Sequence, residues 1–300
     1  MTSTPAPRSS AAVDLDAAAE LLRCPLCARP LAPAGSALRC PERHTFDVSR
    51  QGCISLLGGA KAVSGDDDDM ARAREAFLAT GAYEPLRDAV AELAAGEESR
   101  GAGGAGGARD RVVLDIGAGT GYYLAGTLGE MPGARGIALD TSPRALRVAA
   151  RAHPRAIAAT WDAFKPFPLA DGSVDAVLDV FAPRNPAEFA RVLRPGGRLV
   201  VARPTPRHLA ELREEVGAMV SIDPAKEERL ARALDPFFTP VTTREVTYAL
   251  PLDPEQARAL IGMTPSARHL DAASVSARAA SVTVSVLVTA YAPREVSGGR

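Results

Sequence analysis

Four residues between positions 24 and 44 have the types and spacing to hold a metal. Cys24 and Cys27 form C-P-L-C, and Cys40 and His44 form C-P-E-R-H after 12 intervening residues. Two close pairs of sulfur and nitrogen donors, each on a tight knuckle, can surround one zinc ion tetrahedrally. A Cys3His shell is closed, so such an ion is structural and not catalytic. Leu31 and Leu38, between the pairs, can support a small ribbon. All four cysteines of the chain lie between 24 and 53, a clustering that favours metal over disulfides. Cys53 stands outside the pattern and reads as a packing residue.

A second group of residues suits a nucleotide-like ligand. In LDIGAGTG, residues 114–121, Gly117, Gly119 and Gly121 follow an apolar run directly. A glycine-rich turn between a strand and a helix lets the backbone approach a ligand without side-chain obstruction. Alone, G-x-G-x-G serves nicotinamide enzymes equally well. Its acidic neighbours shift the reading. Asp115 precedes the first glycine; Asp140 ends the next apolar run, where a carboxylate can accept both hydroxyls of a ribose. Asp162 follows the third run beside Trp161, and a Pro-Gly-Gly turn stands within LRPGGRLV, residues 193–200. This order resembles class I S-adenosylmethionine (SAM) methyltransferases. The resemblance implies that Asp115 supports the methionine end, Asp140 the ribose and Asp162 the adenine.

These groups need a scaffold, and the rest of the sequence describes one. Apolar runs at 112–116, 136–140, 156–160, 174–180 and 198–204 read as strands. Helical patterns over 121–130 and 143–152 alternate with them, as in a mostly parallel sheet covered by helices on both faces. Residues 207–219 and 254–262 read as helices, and SVTVSVLVTAY at 281–291 as a late antiparallel strand. Asp66 to Asp69 suit a helix N-terminus, where the dipole favours negative charge. Gly81 ends that helix and Pro85 opens the next. The expected fold is α/β: a Rossmann-like, seven-stranded class I methyltransferase sheet with a small N-terminal zinc ribbon. Residues 1–20 read as disordered, 21–62 as the zinc module, and 66–300 as the methyltransferase domain with a Gly-rich linker at 96–110.

Bulk composition excludes some functions. With 35 basic and 36 acidic residues, no global charge marks a nucleic-acid binder, so that role needs local patches. No apolar run approaches the roughly 18–20 residues that cross a bilayer, and the first 20 residues lack a secretory pattern. A cytoplasmic protein without a membrane partner is expected.

Longer strings narrow the resemblance. CPLC, C-P-E-R-H-T-F-D, Q-G-C-I-S-L-L and M-A-R-A-R-E-A-F-L-A-T-G-A-Y-E-P-L-R-D are similar to the RlmA family of 23S rRNA guanine-N1 methyltransferases. The similarity continues through LDIGAGTGYY, VFAPRNP, LRPGG, P-R-H-L and M-T-P-S-A, covering about residues 22–290. APRNP and A-R-A-H-P-R-A look closest to the actinobacterial, tylosin-resistance branch, which methylates guanine 748 in hairpin 35. The other branch acts on guanine 745 of the same hairpin. The resemblance implies SAM and one structural zinc as cofactors, 23S rRNA as partner and a homodimer. It implies Cys24, Cys27, Cys40 and His44 as zinc ligands, and Tyr83, Gly119, Thr120 and His208 as SAM contacts. Cys53 departs from the family, which carries Tyr there.

Methylation at guanine N1 requires in-line geometry and loss of the N1 proton. Asp179 or Asp162, at strand ends, could assist as an acceptor, although contact with cofactor or structure is the favoured role for both. Phe181, after the fourth strand, could stack on the guanine. Arg144, Arg147, Arg151 and Arg155 form one basic run. Arg184, Arg191, Arg194, Arg198, Arg203 and Arg207 form another, and Arg29, Arg39 and Arg43 belong to the zinc module. Phosphate contact and ordinary solvated faces are both open for each. The competing functions are a small-molecule methyltransferase using its ribbon for assembly, and a zinc-ribbon RNA-binding protein with a vestigial catalytic domain. The intact loop and acids oppose the second, and the arginines and the whole-chain similarity oppose the first.

Overall fold

The computed structural model describes residues 13–58, 65–96, 111–217, 219, 226–269 and 281–294. The N-terminal part contains helix α1 (Leu15–Leu21) and a three-stranded antiparallel ribbon of β1 (Ala32–Ala34), β2 (Ala37–Arg39) and β3 (Thr45–Asp47). Strand β4 (Cys53–Ile54) follows, then helices α2 (Asp68–Ala79) and α3 (Glu84–Ala95). The acidic run performs the expected capping: Asp67 is the N-cap of α2 and accepts from the amides of Asp69 and Met70.

The apolar runs then become the sheet: β5 (Val112–Ile116), β6 (Arg135–Asp140), β7 (Ala156–Thr160), β8 (Val174–Val180) and β9 (Leu193–Pro204). Helices α4 (Tyr122–Glu130), α5 (Pro143–Ala152) and α6 (Pro186–Val192) connect them. Beyond β9 come α7 (Ala210–Val216), α8 (Lys226–Leu234), β10 (Phe238–Pro251), α9 (Pro254–Gly262) and β11 (Ser281–Pro293). Among the described residues no helix is long and apolar enough to cross a membrane.

Sheet order is β10-β11-β9-β8-β5-β6-β7-β4. Only β11 runs antiparallel, to both of its neighbours. Seven strands give the expected methyltransferase arrangement. The eighth is a correction: β4 pairs in parallel with β7, Cys53 opposite Ala158 and Ile54 opposite Ala159. The zinc-module chain thus covers what would otherwise be an open sheet edge.

Side-chain alternation along the strands builds two cores. Val113, Ala138 and Leu178 face one, under α3, α4 and α9. Leu114, Ile137 and Val177 face the other, which also contains Cys24, Leu31, Leu38 and Cys40. The ribbon is therefore packed into the second core. Cys53 lies in the first, and burial pushes its thiol up to about 11, partly offset by Arg147. It is a protonated packing residue.

Two expectations about elements change. Composition predicts disorder over 1–20, yet Leu15–Leu21 is helical, capped by Asp14 and tied to β6 by a Glu20–Arg135 ion pair of 2.6 Å. Residues 1–12 and most of the 96–110 linker lie outside the described residues. Strand β10 has no apolar run to announce it, because residues 239–245 are exposed; its pairing with β11 makes it a strand.

Candidate functional site

The zinc ligands come together as their spacing predicts. Cys24, Cys27, Cys40 and His44 offer donor atoms all within 4.8 Å of one another. Cys27 Sγ lies 3.7 Å from Cys40 Sγ, and His44 Nδ1 lies 3.5 and 3.4 Å from the sulfurs of Cys24 and Cys40. A tetrahedron with Zn–S near 2.3 Å and Zn–N near 2.05 Å has edges of about 3.5–3.8 Å, so the cage fits this ion. The amide of Ala28 donates to the Cys24 carbonyl, and that of Arg43 to the Cys40 carbonyl. Ala28 and Arg43 adopt positive φ, 57° and 66°, to close these knuckles. A zinc ion held by these four residues would have one role, to fix the ribbon.

The second site is a cavity of about 680 Å³ at the carboxyl ends of the central strands. The turn from β5 to α4 is pinned by the amides of Gly117 and Ala118, which donate to the Leu139 carbonyl at 2.8 and 3.1 Å. Gly117 has φ +65°, and a Cβ there would lie 2.7 Å from that of Ala182. The floor is thus built from backbone, as a close-lying ligand requires. Asp140 closes it: Oδ2 accepts from Gly119 N at 2.9 Å, and Oδ1 from Ser142 N at 2.8 Å. Burial raises the Asp140 pKa, while those two amides pull it back. Trp161 and Asp162 continue the wall, and the buried Trp161 Nε1 has no hydrogen-bond partner among the described residues. A Gly-floored pocket with a carboxylate at one side and an indole at the other fits a nucleoside, and SAM is the cofactor it accommodates.

Of the expected SAM contacts, Tyr83, Gly117, Gly119, Asp140, Asp162 and His208 line the cavity. Asp115, Thr120 and Gly121 do not. Asp115 is 1% exposed, and burial, then the charges of Asp140 and Asp179, hold its pKa well above the carboxylate range. Gly121 is the left-handed N-cap of α4. Asp115 and Thr120 are buried, and all three lie off the cavity wall.

Tyr83, His208 and Phe181 form a further part of the wall. Ser285 N donates to His208 Nδ1 at 3.2 Å, and burial followed by the Arg213 charge pushes the imidazole down to about 4. The ring is neutral, with its proton on Nε2, 3.5 Å from the Tyr83 hydroxyl. Phe181 stacks on His208 with centroids 6.0 Å apart, is 39% exposed, and has φ +55°. A non-glycine left-handed residue on a cavity wall is strain held at a site. Asp179 requires a correction. Strand alternation turns it to the same face as Val177, where it is fully buried and absent from the wall. Arg184, with Nε 3.4 Å from Asp179 Oδ1, lines the cavity instead. Direct proton acceptance from a base by Asp179 has no path in this arrangement.

The basic runs separate into structural and free-facing groups. Arg155 donates to the carbonyls of Leu128, Met131 and Ala134 around the end of α4. Arg191 and Arg194 hold loop carbonyls and carboxylates, while Arg203 and Arg207 pair with Glu227 and Glu245. Arg151, Arg39 and Arg43 remain exposed. Sequence reasoning missed Arg74, Arg213 and Arg268 on the cavity wall. Only the position of Arg74 within the family-like string around residues 70–88 offered any signal.

Comparisons with known proteins agree with both sites. The family model described as RlmA, N-terminal, a zinc ribbon, matches residues 22–61, and the Methyltransferase domain model matches residues 113–197. The 23S rRNA (guanine(748)-N(1))-methyltransferase of Streptomyces fradiae is 44% identical over 278 residues, covering 91% of this chain and 96% of that protein. A Micromonospora griseorubida protein, provisionally named a 23S rRNA (guanine-N(1)-)-methyltransferase, is 46% identical over 278 residues, covering 90% and 94%. With a zinc cage, a SAM cavity and this degree of identity along nine-tenths of its length, the chain belongs to the 23S rRNA (guanine-N1)-methyltransferase family.

Proposed function

We propose that this enzyme transfers a methyl group from SAM to N1 of guanine 748 in the loop of hairpin 35 of 23S rRNA. Guanine 745 of the same hairpin is the alternative target. One observation carries the reading: the cavity continues without a break from the glycine floor to the exposed ring of Phe181 and the guanidinium of Arg184. That is space for a flat base beside a nucleoside cofactor. N1 lies on the Watson–Crick edge, so the guanine must enter unpaired, and a hairpin loop supplies it at little cost.

When bound, SAM supplies an electrophilic methyl group on its sulfonium. The chain's own residues orient the two reactants and exclude water. Gly117 and Gly119 seat the cofactor, Asp140 and Asp162 take its ribose and adenine, and Phe181 stacks on the guanine. Asp115, Thr120 and Gly121 hold the loop in shape. The N1 proton leaves to a group on the wall. Three carboxylates line that wall, Asp66, Asp140 and Asp162; Asp162, whose Oδ1 accepts from Phe164 N at 3.0 Å, is the one the sequence offered as an acceptor, with contact to the adenine its favoured role. The enzyme works in the cytoplasm, where its ribosomal substrate resides, and as a homodimer, which light scattering of the purified protein checks. Protection from macrolides follows in hosts whose drug contacts this hairpin.

The test is incubation with labelled SAM and either hairpin 35 RNA or a small-metabolite pool, followed by primer extension. Label in RNA with a stop at 748 is the expected result. Label only in small molecules would overturn the RNA reading, and a stop at 745 would reassign the base.

A further inference from the structure

Arg74, on α2, lines the cofactor cavity without a task in the reading above. Its Nε donates to Asp66 Oδ2 at 2.6 Å, and its Nη2 to Asp66 Oδ1 at 3.2 Å and to the Met263 carbonyl at 2.8 Å. A guanidinium has five N–H donors. The two on Nη1 make no hydrogen bond among the described residues. The arm crosses the middle glycine of the floor: a Cβ on Gly119 would lie 3.2 Å from Arg74 Cδ. Among the described residues only Arg74 comes within 4 Å of that position outside the loop itself, so the glycine makes room for this arginine.

A second donor points to the same place. His208 Nδ1 is occupied by the Ser285 amide, so Nε2 carries the proton and faces the Tyr83 oxygen. Tyr83 can only accept there, which leaves its own O–H to donate elsewhere. Tyr83 is 1% exposed and lines the cavity beside Gly119 and Arg74. A cation that crosses the loop glycine and a neutral donor that feels its charge therefore line the same cavity. Of the groups on SAM, only the carboxylate of its amino-acid end is anionic. Its ammonium and sulfonium would be repelled by a guanidinium.

We propose that Arg74 Nη1 binds the carboxylate of the cofactor, with the Tyr83 hydroxyl as companion donor. Asp66 and the Met263 carbonyl are positioning groups that aim the guanidinium. The seat joins two stretches 189 positions apart in the chain, 66–74 and 263. A further bond, from Arg268 to the Gly65 carbonyl at 2.8 Å, links the same stretches. This inference rests on the SAM reading.

The test is calorimetric binding to the zinc-loaded protein of S-adenosylhomocysteine and of its decarboxylated counterpart, which lacks only the carboxylate. A charge-assisted hydrogen bond predicts that the native protein prefers the carboxylate form by roughly 10- to 100-fold. Arg74→Met should lose that factor for S-adenosylhomocysteine and bind the two ligands alike. Arg74→Lys, which keeps the charge but loses the fork, should retain part of the preference. Asp66→Asn should reduce the preference less than Arg74→Met. An unchanged preference in Arg74→Met, or equal weakening of both ligands, would overturn the proposal. So would a native protein that binds both ligands equally, a result independent of how any variant folds. A native protein that binds neither ligand would instead overturn the SAM reading.

Discussion

The zinc cage and the SAM cavity are built in opposite ways. The cage takes four ligands from 21 consecutive positions, turned on one another until nothing else can enter. The cavity draws its wall from residues as far apart as Gly65 and Arg268 and leaves donors unspent: Trp161 Nε1, Tyr83 O–H and Arg74 Nη1. A site that only holds structure can close on its ion. A site that turns over must leave hydrogen-bonding capacity for what comes and goes. The two are nonetheless joined mechanically. Cys24 and Cys40 share a core with Leu114 and Ile116 of β5, and the amide of Leu57 donates to Thr160 Oγ1 at the end of β7.

The largest expected effect tests that joint. Structural zinc in small modules is worth on the order of 10 kcal/mol or more. Removal of the ion with a strong chelator, or Cys27→Ala, should abolish zinc content and melt the ribbon. Because β4 continues into the sheet edge beside β7, SAM affinity should fall at least about tenfold with it. Metal analysis and calorimetry check this together. Unchanged SAM affinity in zinc-free protein would show the regions to be independent and break the comparison.

Next comes a pH effect confined to the cavity. His208 is held near 4, below the ordinary histidine value of about 6.5, so the unfolded chain binds its proton more readily than the folded one. Its contribution is therefore present above about pH 6.5 and is lost as pH falls toward 4, by up to about 3 kcal/mol. Asp115 and Asp140, whose folded values are raised, act with the opposite sign between the ordinary carboxylate value and those raised values, in the native protein and the variant alike. Comparing urea midpoints of native protein and His208→Gln between pH 7 and pH 5 isolates the histidine. The variant should show the shallower decline. Parallel curves would mean that His208 is not held neutral by its surroundings.

Legibility in the sequence follows the same division. The cage was readable because its ligands are local, and Cys24, Cys27, Cys40 and His44 needed only their spacing. The strands β5 to β8 were readable as buried apolar runs, and the glycine floor as a turn after one of them. For Asp179 the sequence left proton acceptance and structural contact both open, because a strand end fixes height but not which face a side chain takes; parity with Val177 decides that. Tyr83 and His208 stood out only through family resemblance, since a buried tyrosine and a histidine in a turn carry no mark of their own. Arg74 and Arg268 could not be found from spacing, because the partners that define them, Met263 and Gly65, arrive from far along the chain.

Phe181 gives a smaller, sharper effect. Base–aromatic stacking is worth about 1–3 kcal/mol, so Phe181→Ala should lower kcat/KM on hairpin RNA by roughly 10- to 100-fold. SAM affinity should stay within about threefold, since the exposed ring is assigned to the base and not to the cofactor. Single-turnover kinetics and calorimetry separate the two. Equal losses in both would place Phe181 in the cofactor site and merge the two compartments into one.

The smallest effect returns to the ribbon and asks whether a closed zinc site does anything beyond holding the fold. Arg39 and Arg43 are exposed on it, Arg39 with its Nε on Thr45 Oγ1 at 3.1 Å, and neither has a carboxylate partner among the described residues. If they meet phosphates, Arg39→Glu with Arg43→Glu should weaken RNA binding and reduce the slope of log affinity against log salt by about 0.7–0.9 per lost contact. Zinc content and SAM affinity should not move. The same reversal at Arg207, already paired with Glu245, should change RNA binding by less than about 1 kcal/mol. A salt slope untouched by the double reversal would leave the ribbon a structural part alone. The open cavity and its rim would then carry all of the RNA recognition.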